Sequence, residues 1–370
     1  MLFRCFPSFE ALPSEYVAFW EKRAHLQLFG NLEWFKALAS LTTISDDSLR
    51  LYAAEGLTND GARYPLGMFP VYENSAKFLL IKRRSLHSLV NYYSSLYSPI
   101  IPQPDVHEAG DNQSILKAVL QGIAAERPRW DVVTFEPLAD DAIRCDLERS
   151  LKASGFAVFS YFRFWNWYLV LEGRTFEEYI KTVPKRVVNT IHRKQRKLGR
   201  ELGFEVRIIS SEHGEQDLLE AKSAYWQVFR NSWKQAEPYE QFIDSLIDLA
   251  ASNEWLRLGV VYAENTPIAV QLWFVVDGVA YIYKLAYDEN YAKYSPGSIL
   301  TMKMFESAID EDRVSEIDYL TGDDHYKKDW MSHRRQRLGL VGYNRKTFLG
   351  NLLYYKEKAW RFAKNFRKVL

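Results

Sequence analysis

Residues 287–331, YDENYAKYSPGSILTMKMFESAIDEDRVSEIDYLTGDDHYKKDWM, decide the fold. The aromatic run from Tyr281 to Tyr287 leads into them with strand character. Pro296-Gly297 opens a helix whose apolar positions Ile299, Met302, Phe305 and Ile309 recur every three or four residues. Ile317, Tyr319 and Leu320 predict a short strand that empties into Thr321-Gly322-Asp323-Asp324-His325-Tyr326-Lys327. A helix N-terminus beside a strand that delivers ionisable groups can hold an anion and move protons, so the active site is expected here.

Working outward, Phe204 to Ile209 alternates as a strand. Residues 213–235 predict a helix with Leu218, Ala221, Tyr225, Phe229 and Trp233 on one face. A second helix runs from Pro238 to about Ser252. Three β runs follow at 255–263, 267–276 and 279–287, divided by the turn signals Glu264-Asn265-Thr266 and Asp277-Gly278. The helix at 297–311, a strand at 315–321, a short helix near 324–331 and a β run at 337–345 complete the order β-α-α-β-β-β-α-β-α-β. The first half repeats that plan more roughly. It has a helix at 31–39, β runs near 48–55, 65–72 and 77–83, a helix at 112–126, a strand at 131–136, a helix at 140–153 and a strand at 156–163. Two passes through one plan predict an internal duplication.

At 370 residues the chain exceeds one ordinary core. Hydrophobic residues at 47% and aromatics at 15% argue against disorder, and a net charge of +1 provides no global pull toward nucleic acid or membrane. Cys5 and Cys145 are the only cysteines, too few for a disulfide framework or cysteine-rich zinc site. No signal peptide and no apolar span of about 20 residues is evident, so a cytoplasmic protein is expected.

Tyr287-Asp288, Tyr294-Ser295-Pro296-Gly297, Asp318, Gly322-Asp323, Tyr326-Lys327 and Trp330 resemble the GNAT acyltransferases. The doubled plan resembles their FemAB-like branch, and the nearer resemblance is to bacterial cellulose-biosynthesis-type (CelD-type) GNAT acetyltransferases. The resemblance implies an α+β fold of two tandem GNAT-like domains, each a mixed central sheet flanked by helices. It divides the chain into a degenerate domain at 1–163, an acyltransferase domain at 164–346 with leading basic helices, and a C-terminal basic amphipathic helix at 347–370. It implies transfer of an acyl group from acyl-CoA, a co-substrate and not a resident cofactor, to an amine on a saccharide, lipid or small molecule of the cell envelope. The general GNAT pyrophosphate loop reads Arg or Gln, two residues, Gly, one residue, Gly or Ala. Aligned on Gly297, this chain has Tyr294 first and Ile299 last. That departure keeps two alternatives open: a Fem-like transferase using aminoacyl-tRNA, and an inactive envelope-assembly scaffold. DNA is not an expected partner.

Donor binding is expected at Lys293, Tyr294, Ser295, Gly297, Ser298 and Ile299, with the amides of Ser298, Ile299 and Leu300 facing phosphate. The plainer reading of Pro296-Gly297 is a helix entry that needs only turn chemistry. Acyl transfer needs a deprotonated amine and a protonated leaving thiolate. Asp323, with a pKa raised by partial burial, is the expected base and Tyr326 the expected acid, with His325 a competing base. Gly322-Asp323 also reads as a simple turn and cap. Tyr287, Lys327 and Trp330 are the expected substrate contacts, although a tryptophan is more often core. Asp318 is expected to anchor the loop by hydrogen bonds. Asp323, Asp324, His325, Asp329 and His333 lack a recognised metal spacing, and no metal is expected.

Two basic segments complete the reading. Residues 185–200, KRVVNTIHRKQRKLGR, are a solvated helix face or a surface for a phosphorylated donor, tRNA or anionic lipid. Along the C-terminal helix, Leu352, Tyr355, Ala359, Trp360, Phe362, Ala363, Phe366 and Leu370 share an arc, with Lys358, Arg361, Lys364 and Lys368 opposite. Such a helix either packs on the protein or lies in an anionic membrane interface, which would make the protein peripheral to the inner membrane.

Overall fold

Two hairpin turns of the second half show how local chemistry sets the architecture. Glu264 and Asn265, then Asp277 and Gly278, take φ values of 47°, 66°, 49° and 71°. Two consecutive residues at positive φ form the type I′ turn whose twist matches that of the flanking strands. The computed structural model describes all residues except 25–26, 43, 45–47, 79–80, 103–111 and 370; of 77–78, 81 and 365–369 only the backbone is described. The expected positions of the Phe366, Leu370 and Lys368 side chains therefore lie outside the described residues, as do 79–80 of the expected strand.

In chain order the first elements are β1 (Leu2–Phe6), α1 (Ser14–Ala24), α2 (Leu32–Ser40), β2 (Leu49–Leu57), β3 (Arg63–Phe78), β4 (Ile81–Ser88), α3 (Asn112–Ala125), β5 (Val132–Ala139), α4 (Ala142–Ala153) and β6 (Phe156–Val170). Then come α5 (Phe176–Ile180), α6 (Lys185–Glu201), β7 (Glu205–Ile209), α7 (Glu215–Arg230), α8 (Glu240–Ser252), β8 (Leu256–Ala263), β9 (Thr266–Val276) and β10 (Val279–Tyr287). The last are α9 (Pro296–Glu306), β11 (Glu316–Thr321), α10 (Lys327–Trp330), β12 (His333–Asn344) and α11 (Phe348–Val369). Residues 1–164 with 336–370 form one unit and residues 165–335 the other. The sequence reading instead gives 336–346 to the second domain. It also ends β6 at residue 163, but the β-favouring aromatic run Phe156–Val170 contains no glycine or proline to stop it.

The duplication is explicit in the topology. β1 to β6 with α1 to α4, and β7 to β12 with α7 to α10, both read β-α-α-β-β-β-α-β-α-β. β1 and α1 were not legible in the sequence. In the first unit β1, β2, β3 and β4 pair antiparallel in succession, and β4 then pairs parallel with β5. In the second, β7, β8, β9 and β10 do the same, and β10 pairs parallel with β11. The second unit's core sets α9 against the sheet through Ile299, Leu300 and Phe305, which meet Trp273, Ile317 and Trp330. α6 adds Ile191 and Leu198 to the same core.

Candidate active site

β10 and β11 pair over only three positions, Val279 with Glu316, Ala280 with Ile317 and Tyr281 with Asp318. Beyond these, no pairing joins β10, which runs to Tyr287, and β11, which runs to Thr321. Parallel strands that part at their carboxyl ends leave a crevice in which ligands of α/β proteins commonly sit. β4 and β5 of the first unit likewise pair over three positions. There the next residue closes the gap: the Ser88 hydroxyl donates to the Glu136 carbonyl at 2.7 Å and accepts from the Glu136 amide at 3.1 Å. The Tyr97 amide adds a bond to the Pro137 carbonyl. The first crevice is stitched by the chain itself, and the second is not stitched this way.

The end of β11 is held open by side chains. Asp318, fully buried, accepts from the Leu320 amide and from Asn166 Nδ2, both at 2.6 Å, and pairs with Arg335. This supports a bulge between Asp318 and Thr321 and keeps Leu320 at φ 53°, a costly conformation for a branched side chain. The anchoring role expected of Asp318 is present. Lys327, only 4% exposed, reaches back to the carbonyls of Thr321 (2.6 Å) and Tyr319 (3.3 Å) and lies 3.5 Å from Asp324. Burial lowers its pKa, while Asp324 and Asp318 oppose that shift.

Tyr326 projects from this loop with its edge on the buried Tyr319 ring. Desolvation, followed by the charge of Asp324, pushes its pKa up to about 12, partly offset by a hydrogen bond from Tyr319. It therefore stays protonated at neutral pH and can donate. Asp323 differs from expectation. Desolvation acts to raise its pKa but is outweighed by the Trp167 indole N–H, which donates at 2.7 Å, and by Arg334, 3.0 Å away, so the net shift is downward. Arg334 in turn lies 4.0 Å from the Trp165 ring centroid. His325 is exposed beside Asp323. The other acids of the segment meet cations, Asp324 at Lys327 and Asp329 at Arg186.

At the start of α9, Ser295 has φ 53° and its carbonyl accepts from the amides of Ser298 (3.1 Å) and Ile299 (3.2 Å). The expected donation by those two amides to phosphate is thus corrected: they are engaged within the turn, and the Ile299 side chain is core. The Gly297 amide has no hydrogen-bond partner among the described residues. Its carbonyl is gripped from below by buried Gln271 at 3.1 Å. A side chain at Gly297 would begin 3.3 Å from Tyr287, whose ring meets Trp233 at 4.6 Å. Tyr294 is buried, not an open loop position, and its hydroxyl donates to Glu201 at 3.0 Å. Lys293 and Lys197 flank its ring, and Lys194 donates to the Lys293 carbonyl at 2.5 Å, so the basic α6 lies against the α9 entry. Trp330 is 6% exposed and packs on Phe305, so it is core and not a substrate platform.

Sequence reasoning missed several contributors. α7 ends at Arg230, so Trp233 leaves the expected apolar face and stands 47% exposed beside Tyr287. Lys284 pairs with Glu237, and Lys234 is close enough to Lys284 for its pKa to be lowered by burial and then by that charge. The aromatic alternation Trp165-Asn166-Trp167 was the available signal for the wall around Asp323.

Residues 185–328 match the family model described as Acetyltransferase (GNAT) domain. No curated protein matches the chain. Among solved structures it is similar to FemX, with TM-score 0.55 and 13% identity over 95% of this chain and 99% of that one. L-PGS from Bacillus licheniformis gives a TM-score of 0.50 and 12% identity over 94% and 96% of the two chains. The open crevice, the α9 entry and the loop of Asp323 to Lys327 all fall inside the matched residues, so residues 185–328 carry a GNAT domain, and the chain is similar in fold to FemX.

Proposed function

We propose that the second unit transfers an acyl group from acyl-CoA to an amine. The observation that carries this reading is the parting of β10 and β11 after Tyr281 and Asp318, next to the α9 entry. Unpaired strand edges suit an extended, amide-bearing arm, which can bond to the backbone as an added strand does. Its phosphates fall to the Gly297 amide and to Lys293, Lys194 and Lys197, with Ser295 and Ser298 at the rim. Tyr287 and Trp233 form an aromatic wall beside Gly297. The amine attacks the thioester carbonyl, the C–S bond breaks, and Tyr326 gives its proton to the departing thiolate. Asp323, ionised, draws in the acceptor's ammonium, His325 takes one proton to free the amine for attack, and the second proton, lost by the attacking nitrogen, restores the Tyr326 hydroxyl. Lys327 fixes the loop on which all three stand. Isothermal titration with coenzyme A and acetyl-CoA tests the donor: micromolar or tighter binding supports the reading, and no heat overturns it.

Aminoacyl-tRNA is the second reading, favoured by the exposed Lys185, His192, Arg193 and Arg196 along α6. A polyanion bound there would dissociate steeply with salt. The localisation we propose is cytoplasmic and peripheral to an anionic membrane. No described helix is long and apolar enough to cross one. On α11, Phe348, Leu352, Tyr355 and Phe362 are exposed at heptad-like spacing, with Lys356 and Lys358 between them. An acceptor amine on an envelope lipid or saccharide fits that location.

A further inference from the structure

The first unit carries an open groove of about 820 Å³ on the sheet face beside α11, lined by Thr134, Tyr161, Phe162, Tyr343, Trp360 and Lys364 among others. Its floor can be extended by register. His87 pairs directly with Thr134 and Ser85 with Val132 in the parallel β4–β5 ladder, so both lie on Thr134's face. Tyr343 and Val341 join that face from β12. The opposite face, with Leu86, Val133 and Phe135, is core. A sheet that is apolar on one side and carries buried polar side chains among the valines of the other needs an explanation.

The polar atoms supply one. Ser85 is 1% exposed, and its hydroxyl has no hydrogen-bond partner among the described residues. His87 Nε2 and Arg83 Nε are also buried without partners among the described residues, and Arg83 shares the alternation of Ser85 and His87. Buried polar groups are almost always satisfied in native proteins, so three orphans along one strand face mark a place for a polar ligand. The rim is aromatic and cationic. Phe162 and Trp360 are exposed there, and the Lys364 ammonium lies 4.9 Å from the Trp360 ring centroid. Nearby acids are already matched: Glu357 pairs with Arg361, and Glu136 with Arg163 and the Tyr161 hydroxyl. The balance is positive, with flat apolar walls at the mouth and hydroxyl-seeking groups inside.

We propose that this groove binds a sugar phosphate, with the ring against Trp360 and Phe162, the phosphate at Lys364, and hydroxyls toward Ser85 and His87. Aromatic faces suit the C–H faces of a pyranose, and buried neutral donors and acceptors suit its hydroxyls. The site is separate from the crevice of the second unit and does not depend on the donor assigned there.

The test uses the full chain with glucose 1-phosphate, glucose, inorganic phosphate and UMP as probes. Calorimetry gives affinity, and the ring-proton NMR signal of His87, identified by His87→Gln, reports occupancy. The expected result is binding of glucose 1-phosphate with displacement of the His87 signal. Trp360→Ala and Lys364→Ala, both at exposed positions, should each weaken it by about tenfold or more, the scale of one lost charge-assisted or stacking contact. Equal binding of glucose or of inorganic phosphate alone overturns the proposal, as does a preference for UMP. So does binding that neither variant weakens, or an unmoved His87 signal, or the absence of binding by a protein whose circular dichroism is native.

Discussion

The ammonium of Lys327 donates to the carbonyl of Thr321 at 2.6 Å, closing a loop that carries Asp323, His325 and Tyr326. A cation buried at 4% exposure is here a structural strut whose charge is spent on backbone oxygens and Asp324. Lys327→Met should leave the Tyr319 and Thr321 carbonyls short of a donor and cost about 1–3 kcal/mol. Urea denaturation measures it. Because the lysine's pKa is lowered on folding, its charged form is penalised below that pKa. Wild-type stability should thus gain from this group as pH rises toward the unfolded lysine value, and the Met variant should lose that gain.

Tyr326→Phe should reduce turnover by ~10²–10⁴-fold with little change in coenzyme A affinity, the signature of a lost proton donor. With its pKa pushed up to about 12, Tyr326 keeps its proton through the ordinary alkaline range. The alkaline limb of the rate profile should therefore not begin near pH 10. A limb that does begin there and survives in Tyr326→Phe assigns the donor elsewhere.

Gly297→Val places a branched carbon where the first atom already lies 3.3 Å from Tyr287. The backbone there is ordinary, so the helix should form, but the Tyr287–Trp233 wall must shift. We expect a native far-ultraviolet spectrum and coenzyme A affinity reduced by about tenfold or more. Unchanged affinity in a folded variant would remove the α9 entry from the donor site.

How much of this was legible follows from distance along the chain. Asp277-Gly278 and Pro296-Gly297 announce a hairpin and a helix start because turn and cap chemistry is local. The order of the second unit could be read from such signals. The low pKa of Asp323 could not, since Trp167 lies 156 residues away in sequence and only the β6–β11 pairing brings the two together. Gln271 under Gly297 and Asn166 beside Asp318 are likewise products of strand register. Trp233 misled for the opposite reason: helical periodicity continued past Arg230, but the helix did not.

His87 provides a pH test of the first unit. Burial, followed by the charge of Arg83, lowers its pKa from 6.5 to about 4. The folded state therefore binds fewer protons than the unfolded state between those values, and stability falls as pH drops from about 6.5 toward 4. The full shift corresponds to about 3 kcal/mol. Comparing denaturation midpoints of wild type and His87→Phe at pH 7 and pH 4.5 isolates this contribution.

Vesicle co-sedimentation tests α11. Each basic residue near an anionic bilayer contributes ~1 kcal/mol, and salt screens the attraction. The protein should pellet with anionic but not neutral vesicles at low salt, and truncation after Thr347 should abolish this without affecting coenzyme A binding. Pelleting that the truncation leaves intact would move the membrane contact away from α11.

One hydroxyl separates the two halves of the duplication. Ser88 satisfies both backbone groups of Glu136 and so removes any need for an outside molecule to do it. A repeated module can thus retire from chemistry at almost no cost to its hydrogen bonding, and its sheet becomes free to drift under other selection. Division of labour between copies then requires no loss of fold, only a residue that answers its own chain before a substrate can.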